Sequence, residues 1–316
     1  MNSSQKPGDK RKVLVLLDSH AILHRSFHAL PPFTSPSGEP TGALYGFCSM
    51  LFKIIRELKP DYLTACYDLP EPTFRHIVYK EYKIQRPKTA DELIGQIEKS
   101  KEILGAFQIP ICEFSGFEAD DIIGTIVEKT KKEKNLKVII ASGDLDTLQL
   151  VKNDDVVVYV FRKGTEAVFY DENEVLKRYG FGPKLLPDFK GLKGDPSDNI
   201  FGIKGIGEKT AGQLIQKFGS LENIYEKIKE DEIGLLSSKI KARTIQLLKE
   251  NEKDAFFSKA LTEIRRDAPI SFSLSSNQLG KLYNPEKVRF LFEKLGFKSF
   301  LARLPDIFSM DSGRSR

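Results

Sequence analysis

The chain has 316 residues, of which 40% are hydrophobic and 29% charged, which is ordinary for a soluble protein with about two domains. Its 49 basic and 44 acidic residues leave a net charge of only +5, so contact with an acidic partner depends on local patches. No apolar stretch approaches the ~20 residues that span a bilayer, which excludes a membrane-spanning chain.

Residues 1–12 are polar and basic, and they predict a disordered tail that is followed by too few apolar residues for a secretion signal. Residues 305–316 predict a tail or linker. The cysteines lie inside apolar segments without the spacing of zinc ligands, so we expect buried thiols and a reducing cytoplasm. They are Cys48, Cys66 and Cys112.

From residue 13 to about 160, strand-like apolar runs alternate with helical patterns, which indicates βαβ units. Two later runs, 156–161 and 166–170, predict a hairpin or edge strands. We therefore predict an α/β domain over residues 13–175, built on a mixed, mainly parallel central sheet flanked by helices.

Beyond Asp171 the strand signals largely stop, and helical patterns take over. They predict helices at 172–179, 183–191, 207–218, 220–229, 236–262 and 286–303. This change predicts a second, all-α domain over residues 176–304.

Nine carboxylates lie in short clusters, most of them just after a predicted strand. They are Asp18, Asp68, Glu118, Asp120, Asp121, Asp144, Asp146, Asp195 and Asp198. Because the carboxyl ends of parallel strands meet at one edge of an open sheet, we expect these side chains to converge. Gathered carboxylates repel one another unless cations lie between them, and oxygen ligands favour hard divalent cations. The sequence therefore predicts two Mg²⁺ or Mn²⁺ ions that support phosphodiester hydrolysis.

Each cluster alone has a simpler interpretation. An aspartate at a strand end is often a turn residue, acids at 118–121 favour a helix N-terminus, and residues 195–199 could form only Asx turns. Their conjunction at one sheet edge favours the metal interpretation. Zinc is disfavoured because the clusters contain no histidine or cysteine, and no Gly-x-Ser-x-Gly elbow indicates a serine nucleophile.

The connection at 75–88 leaves the predicted crevice and is both basic and aromatic. It contains Arg75, Lys80, Lys83, Arg86 and Lys88, interleaved with Tyr79 and Tyr82. Such a run is more often a solvated helix face, but its place beside the acidic crevice favours nucleic acid, with cations on phosphates and rings on bases.

A glycine-rich motif at 202–211 predicts a tight turn that opens a helix. It is not a P-loop, because Glu208 interrupts Gly-Lys-Thr and no strand precedes it. We predict a helix-hairpin-helix at 199–219, whose backbone N–H groups grip the DNA backbone without reading bases. The alternative is a plain turn between helices.

With these motifs in view, the chain resembles the 5′ nuclease domain at the N-terminus of bacterial DNA polymerase I, in the flap endonuclease superfamily. The resemblance covers residues 13–304 and rests on the stretches at 72–76, 81–86, 116–121, 143–146, 194–199 and 205–211. It implies a PIN-like α/β core, a helical arch at about 72–104 that passes or clamps a 5′ single strand, and a helix-hairpin-helix domain that holds duplex DNA.

The resemblance also implies site residues. One metal ion would be surrounded by Asp18, Asp68, Glu118, Asp120 and Asp121. The second would be surrounded by Asp144, Asp146, Asp195 and Asp198, some of them acting through water. Lys83 and Arg86 are implied to be catalytic, by polarising the scissile phosphate, and Tyr82 is implied to stack beside them. The other implied DNA-binding residues are Arg25, Lys204, Gly205, Gly207 and Lys209. A K⁺ ion at the helix-hairpin-helix is implied as well.

Three positions depart from the family pattern: Ser19 replaces glycine, Leu145 replaces lysine and Phe201 replaces proline. None removes a carboxylate, so the resemblance implies a Mg²⁺-dependent, structure-specific 5′→3′ exonuclease and flap endonuclease of replication and repair. Its partners would be DNA with a 5′ flap, nick or 5′ end, and RNA primer–DNA hybrids. We expect a monomer in the bacterial cytoplasm, associated with the nucleoid, and in its parent chain a polymerase domain.

Two alternatives remain. The first is a non-catalytic module that binds DNA junctions, against which the full set of carboxylates argues. The second is a PIN-like ribonuclease, which does not account for the arch and the helix-hairpin-helix.

Overall fold

The computed structural model describes residues 11–161, 167–230, 240–279 and 284–304. Its six strands form one sheet in the order β3-β2-β1-β4-β5-β6, with only β5 and β6 antiparallel. The strands are β1 (Lys12–Asp18), β2 (Tyr62–Cys66), β3 (Ile111–Cys112), β4 (Leu136–Ser142), β5 (Val156–Val160) and β6 (Val168–Tyr170). The prediction of a mixed, mainly parallel sheet is confirmed. The predicted tails lie outside the described residues, except Arg11 and Lys12, and Lys12 opens β1.

Helices cover both faces of the sheet, because the alternating side chains of its strands are apolar on either side. Leu14 and Leu16 of β1 belong to one buried cluster, whereas Val15 and Leu17 belong to another. The helices of the α/β part are α1 (Ser19–Ala29), α2 (Gly42–Leu58), α3 (Phe74–Val78), α4 (Asp91–Ala106) and α5 (Ala119–Thr130). The cluster around Leu14 contains α5 and continues into the second, helical part of the chain.

The helical part contains α6 (Glu172–Tyr179), α7 (Leu186–Lys193), α8 (Glu208–Phe218), α9 (Leu221–Glu230), Ala242–Glu250 and Glu252–Thr262. The single helix predicted at 236–262 is wrong within the described residues, because Asn251 leaves the helical conformation (φ −122°, ψ 27°). Helices Pro285–Leu295 and Lys298–Leu301 then return to the sheet and pack on the face that carries α2. No helix among the described residues is both long enough and apolar enough to cross a membrane.

Candidate metal centre and nucleic-acid interface

The predicted convergence of carboxylates takes place at the C-terminal edge of the sheet. Asp18 ends β1, while Asp68 and Asp144 follow β2 and β4 by two residues. Asp120 lies in the first turn of α5. These four side chains, which we call the first cluster, line one cavity of about 360 Å³.

Backbone and hydroxyl groups fix the orientation of the first cluster. Asp18 accepts hydrogen bonds from the Ala21 N–H (3.0 Å) and the Ser142 hydroxyl (2.6 Å). Asp68 accepts one from the Ala119 N–H at 2.7 Å. Among the described residues, no lysine or arginine forms an ion pair with any member of the cluster, so its negative charges have no internal counter-ion.

The electrostatics of the first cluster favour a bound cation. Burial raises the pKa of Asp18 to about 7, and the charges of Asp68 and Asp144 add to the shift. Desolvation and the charges of Asp18 and Asp144 raise the pKa of Asp120 well above its usual range. These carboxylates are desolvated, they oppose each other's ionisation, and they offer only oxygen as a ligand atom. Such a group suits a hard divalent cation.

A second group, which we call the carboxylate trio, consists of Asp146, Asp195 and Asp198. Each contributes an oxygen, and these oxygens lie within 4.8 Å of one another. The Lys190 ammonium contacts both Asp146 and Asp195. Desolvation raises the pKa of Asp146 to about 6 against the opposing effect of Lys190, and the Asp144 charge adds to it. Asp144 was implied to belong with the trio, but it lines the first cavity and acts on both groups.

Asp121 is a correction to the implied metal ligands. Its side chain is fully buried, and both oxygens are committed. Arg75 donates to them at 2.7 and 2.9 Å, and the N–H groups of Glu118 and Arg265 donate at 3.1 and 2.9 Å. The Asp121 carboxylate is therefore the anion of a buried ion pair that joins α3 to α5, and it does not line the cavity.

Glu118 lines the cavity but is already neutralised. Lys83 contacts it at 2.6 Å, Arg75 at 3.2 Å and the Tyr82 hydroxyl at 3.0 Å. Burial opposes ionisation here, yet the charges of Lys83 and Arg75 keep the pKa of Glu118 below its usual range. Glu118 thus positions the basic connection at the rim of the cavity that the first cluster lines.

The implied arch is helical only at its two ends, α3 and α4. Between them, turns from Tyr79 to Arg86 fold down onto the trio. Lys83 has the left-handed φ of 56° and donates its backbone N–H to the Asp198 carbonyl at 2.9 Å. The Arg86 guanidinium pairs with the Asp198 carboxylate at 2.5 Å. The two implied catalytic cations therefore lie at the rim of the cavity, between both carboxylate groups.

Tyr82 is a second correction. It was implied to stack on a nucleotide, but its side chain is only 3% exposed. Its hydroxyl donates to Glu118 at 3.0 Å or Asp198 at 3.1 Å, so the ring is part of the support of Lys83 and Arg86. The more exposed aromatic nearby is Phe201, which stacks on Phe257 and meets Tyr79 edge-on.

The glycine turn precedes α8 as predicted. Ile203 and Ile206 anchor it in the core, while Lys204 and Lys209 are exposed. Gly205 has φ 97°, and a Cβ on Gly202 would lie 2.2 Å from the backbone nitrogen of Gly194. The turn is thus a close crossing of two backbone segments that presents the start of α8 to solvent, and Gly207 is its N-cap.

A groove of about 930 Å³ runs beside this turn. Gly205 and Lys209 of the turn and α8 line it, together with Lys241 and Arg243 at the start of the helix Ala242–Glu250. The sequence analysis did not predict Lys241 and Arg243 as interface residues, because it placed them inside a helix at 236–262, whereas the helix begins at Ala242. Arg25, by contrast, is half-buried on α1 and does not line the first cavity, whereas its neighbours His20 and His24 do.

His20, His24 and Lys190 are the site residues that sequence reasoning missed. His20 accepts the Asp68 N–H at 3.1 Å through Nδ1, and burial lowers its pKa. The two histidines lie one helical turn apart from each other, two and six residues after the strand-end Asp18, which is a signal that the sequence did offer. The contact of Lys190 with Asp146 gave no local signal, because these residues are 44 positions apart, although Asp195 follows Lys190 by only five.

Comparison with known proteins identifies the family to which this chain belongs. Residues 13–180 match the family model described as "5'-3' exonuclease, N-terminal resolvase-like domain", and residues 181–284 match "5'-3' exonuclease, C-terminal SAM fold". The chain belongs to the 5'-3' exonuclease family. DNA polymerase I of Bacillus subtilis (strain 168) is 40% identical to this exonuclease chain over 296 residues, which are 93% of this chain and 32% of that protein. DNA polymerase I of Mycobacterium tuberculosis (strain H37Rv) is 34% identical over 317 residues, 99% of this chain and 34% of that protein.

The exonuclease chain thus spans about a third of the length of the curated relatives it matches. Among solved structures, T5 5'-exonuclease with bound zinc has a TM-score of 0.64 at 19% identity, covering 95% of this chain and 99% of that one. The catalytic core of Rad2 in complex with DNA substrate has a TM-score of 0.59 at 18% identity, covering 95% and 92%. These likenesses confirm the predicted fold class, an α/β nuclease core followed by a helical domain.

Proposed function

We propose that this 5'-3' exonuclease chain is a structure-specific 5′→3′ exonuclease and 5′-flap endonuclease that uses two Mg²⁺ or Mn²⁺ ions. The observation that carries the proposal is the cavity at the sheet edge, where carboxylates that pair with no lysine or arginine of the described residues lie beside Lys83 and Arg86. Family membership and the DNA polymerase I relatives support it. A junction-binding module without catalysis would have no use for this cluster.

The first cluster would hold one ion and the trio the other. When bound, such ions supply an activated water and stabilise the leaving oxygen. Glu118 stays at the rim, where it supports Lys83. Asp121 is left out of the ligand set, because its oxygens are committed to Arg75 and to backbone N–H groups.

Lys83 and Arg86 would stabilise the charge that develops on the phosphoryl group. Both cations now pair with carboxylates, Lys83 with Glu118 and Arg86 with Asp198. A phosphate in the cavity offers them a second anionic partner within the reach of their long side chains. They therefore respond to the phosphate without any large movement of the backbone.

The groove at the glycine turn would hold the duplex through its phosphates, which gives specificity for junction shape and not for base sequence. The basic residues that line it are Lys209, Lys217, Lys241 and Arg243. DNA with a 5′ flap, nick or 5′ end and RNA primer–DNA hybrids are the substrates we propose, with K⁺ at the turn. A polymerase domain in the parent chain, a monomeric state and a cytoplasmic location complete the proposal.

The test is cleavage of a duplex that carries an end-labelled 5′ flap, in Mg²⁺ or in EDTA. We expect metal-dependent cutting near the junction, lost in Asp120→Ala. Asp154→Ala is the matched control, because Asp154 is exposed and pairs with Lys137 and Arg11 away from the cavity. Flap binding without cutting in either Mg²⁺ or Mn²⁺ would leave the junction-binding alternative in place of the enzyme.

A further inference from the structure

The carboxylate trio already contains a cation of the protein. The Lys190 ammonium lies between Asp146 and Asp195, two of the three groups whose oxygens lie close enough together to hold a metal ion. Its side chain is only 15% exposed, so solvent screens the contact weakly. The third member, Asp198, is paired with Arg86.

The two carboxylate groups therefore differ in their state of charge. In the first cluster, Asp18, Asp120 and Asp144 have no lysine or arginine partner among the described residues. In the trio, Lys190 and Arg86 offset most of three negative charges, and the Lys83 ammonium lies a further 3.9 Å from Asp198. A divalent ion entering the trio has to displace the ammonium or share its ligands, and like charges a few ångströms apart oppose this strongly.

We propose that Lys190 is a built-in occupant of the second metal site, which holds the trio together until a divalent cation replaces it. This inference rests on the proposed two-metal function and adds an order to it. The first cluster binds its ion first, and the trio binds only as Lys190 withdraws. A substrate phosphate favours that withdrawal, because it offers the cations of this region another partner.

The structure has space beside the trio for the displaced Lys190 ammonium. A cavity of about 520 Å³ adjoins the trio and is lined by Asp146, Lys190 and Lys193. The lysine side chain is a flexible four-carbon stem, so its ammonium can move into this space without a change in α7. The replacement therefore needs only a rotamer change.

The experiment is a Mn²⁺ titration of the full chain, followed by electron paramagnetic resonance of the unbound ion. We expect one tighter and one weaker site in the wild type. Lys190→Met should tighten the weaker site about tenfold or more, because it removes a unit charge from the ligand shell. Lys190→Arg, which keeps the charge, should not tighten it. Lys193→Met is the matched control, since Lys193 lines the same cavity but lies over the Phe189 ring instead.

Two further measurements make the result decisive. Lys190→Met combined with Asp195→Asn should lose the tightening, which assigns the weaker site to the trio. In the wild-type protein, Mn²⁺ saturation should increase acetylation of Lys190 relative to Lys193, read by mass spectrometry, and this holds even if the methionine variant does not fold. Two sites with unchanged affinity in Lys190→Met and unchanged Lys190 reactivity would overturn the inference alone. No Mn²⁺ binding by the wild type would overturn the two-metal proposal itself.

Discussion

At the scale of single residues, the site separates carboxylates that have a protein cation from carboxylates that do not. Asp121 is paired with Arg75 in full burial, whereas Asp18 faces other carboxylates. The same residue type therefore has two opposite effects on the stability of the protein. Removing the first should weaken the fold, and neutralising the second should strengthen it when no metal is present.

Asp121→Ala should lower the free energy of unfolding by about 3–5 kcal/mol, because the buried Arg75 guanidinium loses its two-pronged anion and keeps only Glu118, which Lys83 also neutralises. Urea unfolding monitored by circular dichroism measures this. Asp267→Ala is the control, since the Asp267–Arg265 pair is exposed and should matter little. A variant as stable as the control would show that Arg75 is satisfied by the carbonyls of Leu261 and Glu263.

Asp18→Asn should raise the melting temperature of the protein in EDTA at pH 8. The folded-state pKa of Asp18 lies at about 7, above the 3.8 of an aspartate in the unfolded chain, so the folded state binds the proton more tightly than the unfolded state. Stability is therefore greatest below the unfolded pKa, and it falls as the pH rises from about 4 through about 7. Asparagine avoids this loss.

Thermal melts in EDTA across that pH range test the sign. The gap between Asp18→Asn and wild type should open as the pH rises and close again in Mn²⁺, which stabilises the ionised wild-type cluster. A variant that is less stable than the wild type at every pH would contradict the assignment of Asp18 as an electrostatically strained carboxylate.

At the scale of elements, the turns between α3 and α4 are held by one loop of the helical part. Asn199 adopts the left-handed φ of 57°, and its amide donates to the Glu81 carbonyl at 2.9 Å. Its side-chain oxygen accepts from Gln85 at 2.9 Å. The basic connection is thus latched by an asparagine that also tolerates an unusual backbone conformation.

Asn199→Ala should loosen this latch, because it removes both side-chain hydrogen bonds and strains the backbone by about 1 kcal/mol or more. Limited trypsin digestion should then cleave faster after Lys80, Lys83 or Lys88, whereas Pro87 protects the bond after Arg86. Asn199→Gly relieves the strain but still lacks the hydrogen bonds, so it should lie between the alanine variant and the wild type. Equal cleavage rates in all three proteins would show that Lys83 and Arg86 alone hold the connection.

At the scale of the whole molecule, the sequence was most informative for features that depend on the spacing of apolar residues and on the geometry of the parallel sheet. The parallel strands and the convergence of Asp18, Asp68, Asp120 and Asp144 follow from alternating apolar runs and from the geometry of an open sheet. The pairing of Asp121 with Arg75 and of Lys190 with Asp146 joins residues 46 and 44 positions apart, and no local pattern reports such pairs.

Local sequence patterns also do not predict the path of the chain after Asn251. The helical spacing of apolar residues continues across the break at Asn251, so this spacing does not predict two separate helices. Likewise, Phe292 and Phe300 have an ordinary amphipathic spacing, yet they pack against Phe52 on the far face of the sheet. Which face a helix covers is decided by tertiary packing, and helical spacing does not specify it.

The concealed helix start has a functional consequence that concerns the whole charge distribution. The net charge is only +5, but Lys241 and Arg243 line the same groove as Lys209. If the duplex lies there, affinity depends on these local charges and on the counter-ions that they release. Arg243→Ala should weaken binding of flap DNA several-fold for any sequence and reduce the slope of log affinity against log salt by about 1.

Arg56→Ala is the matched control, because Arg56 is an exposed arginine on α2, remote from the groove, with Glu57 beside it. It makes the same change of net charge, so a general electrostatic effect would alter both variants alike. Fluorescence anisotropy over a series of salt concentrations, in Ca²⁺ to prevent cutting, measures both slopes. If the slope of Arg243→Ala equals that of the control, the duplex does not reach Lys241 and Arg243. The phosphates would then be held by the glycine turn and α8 alone.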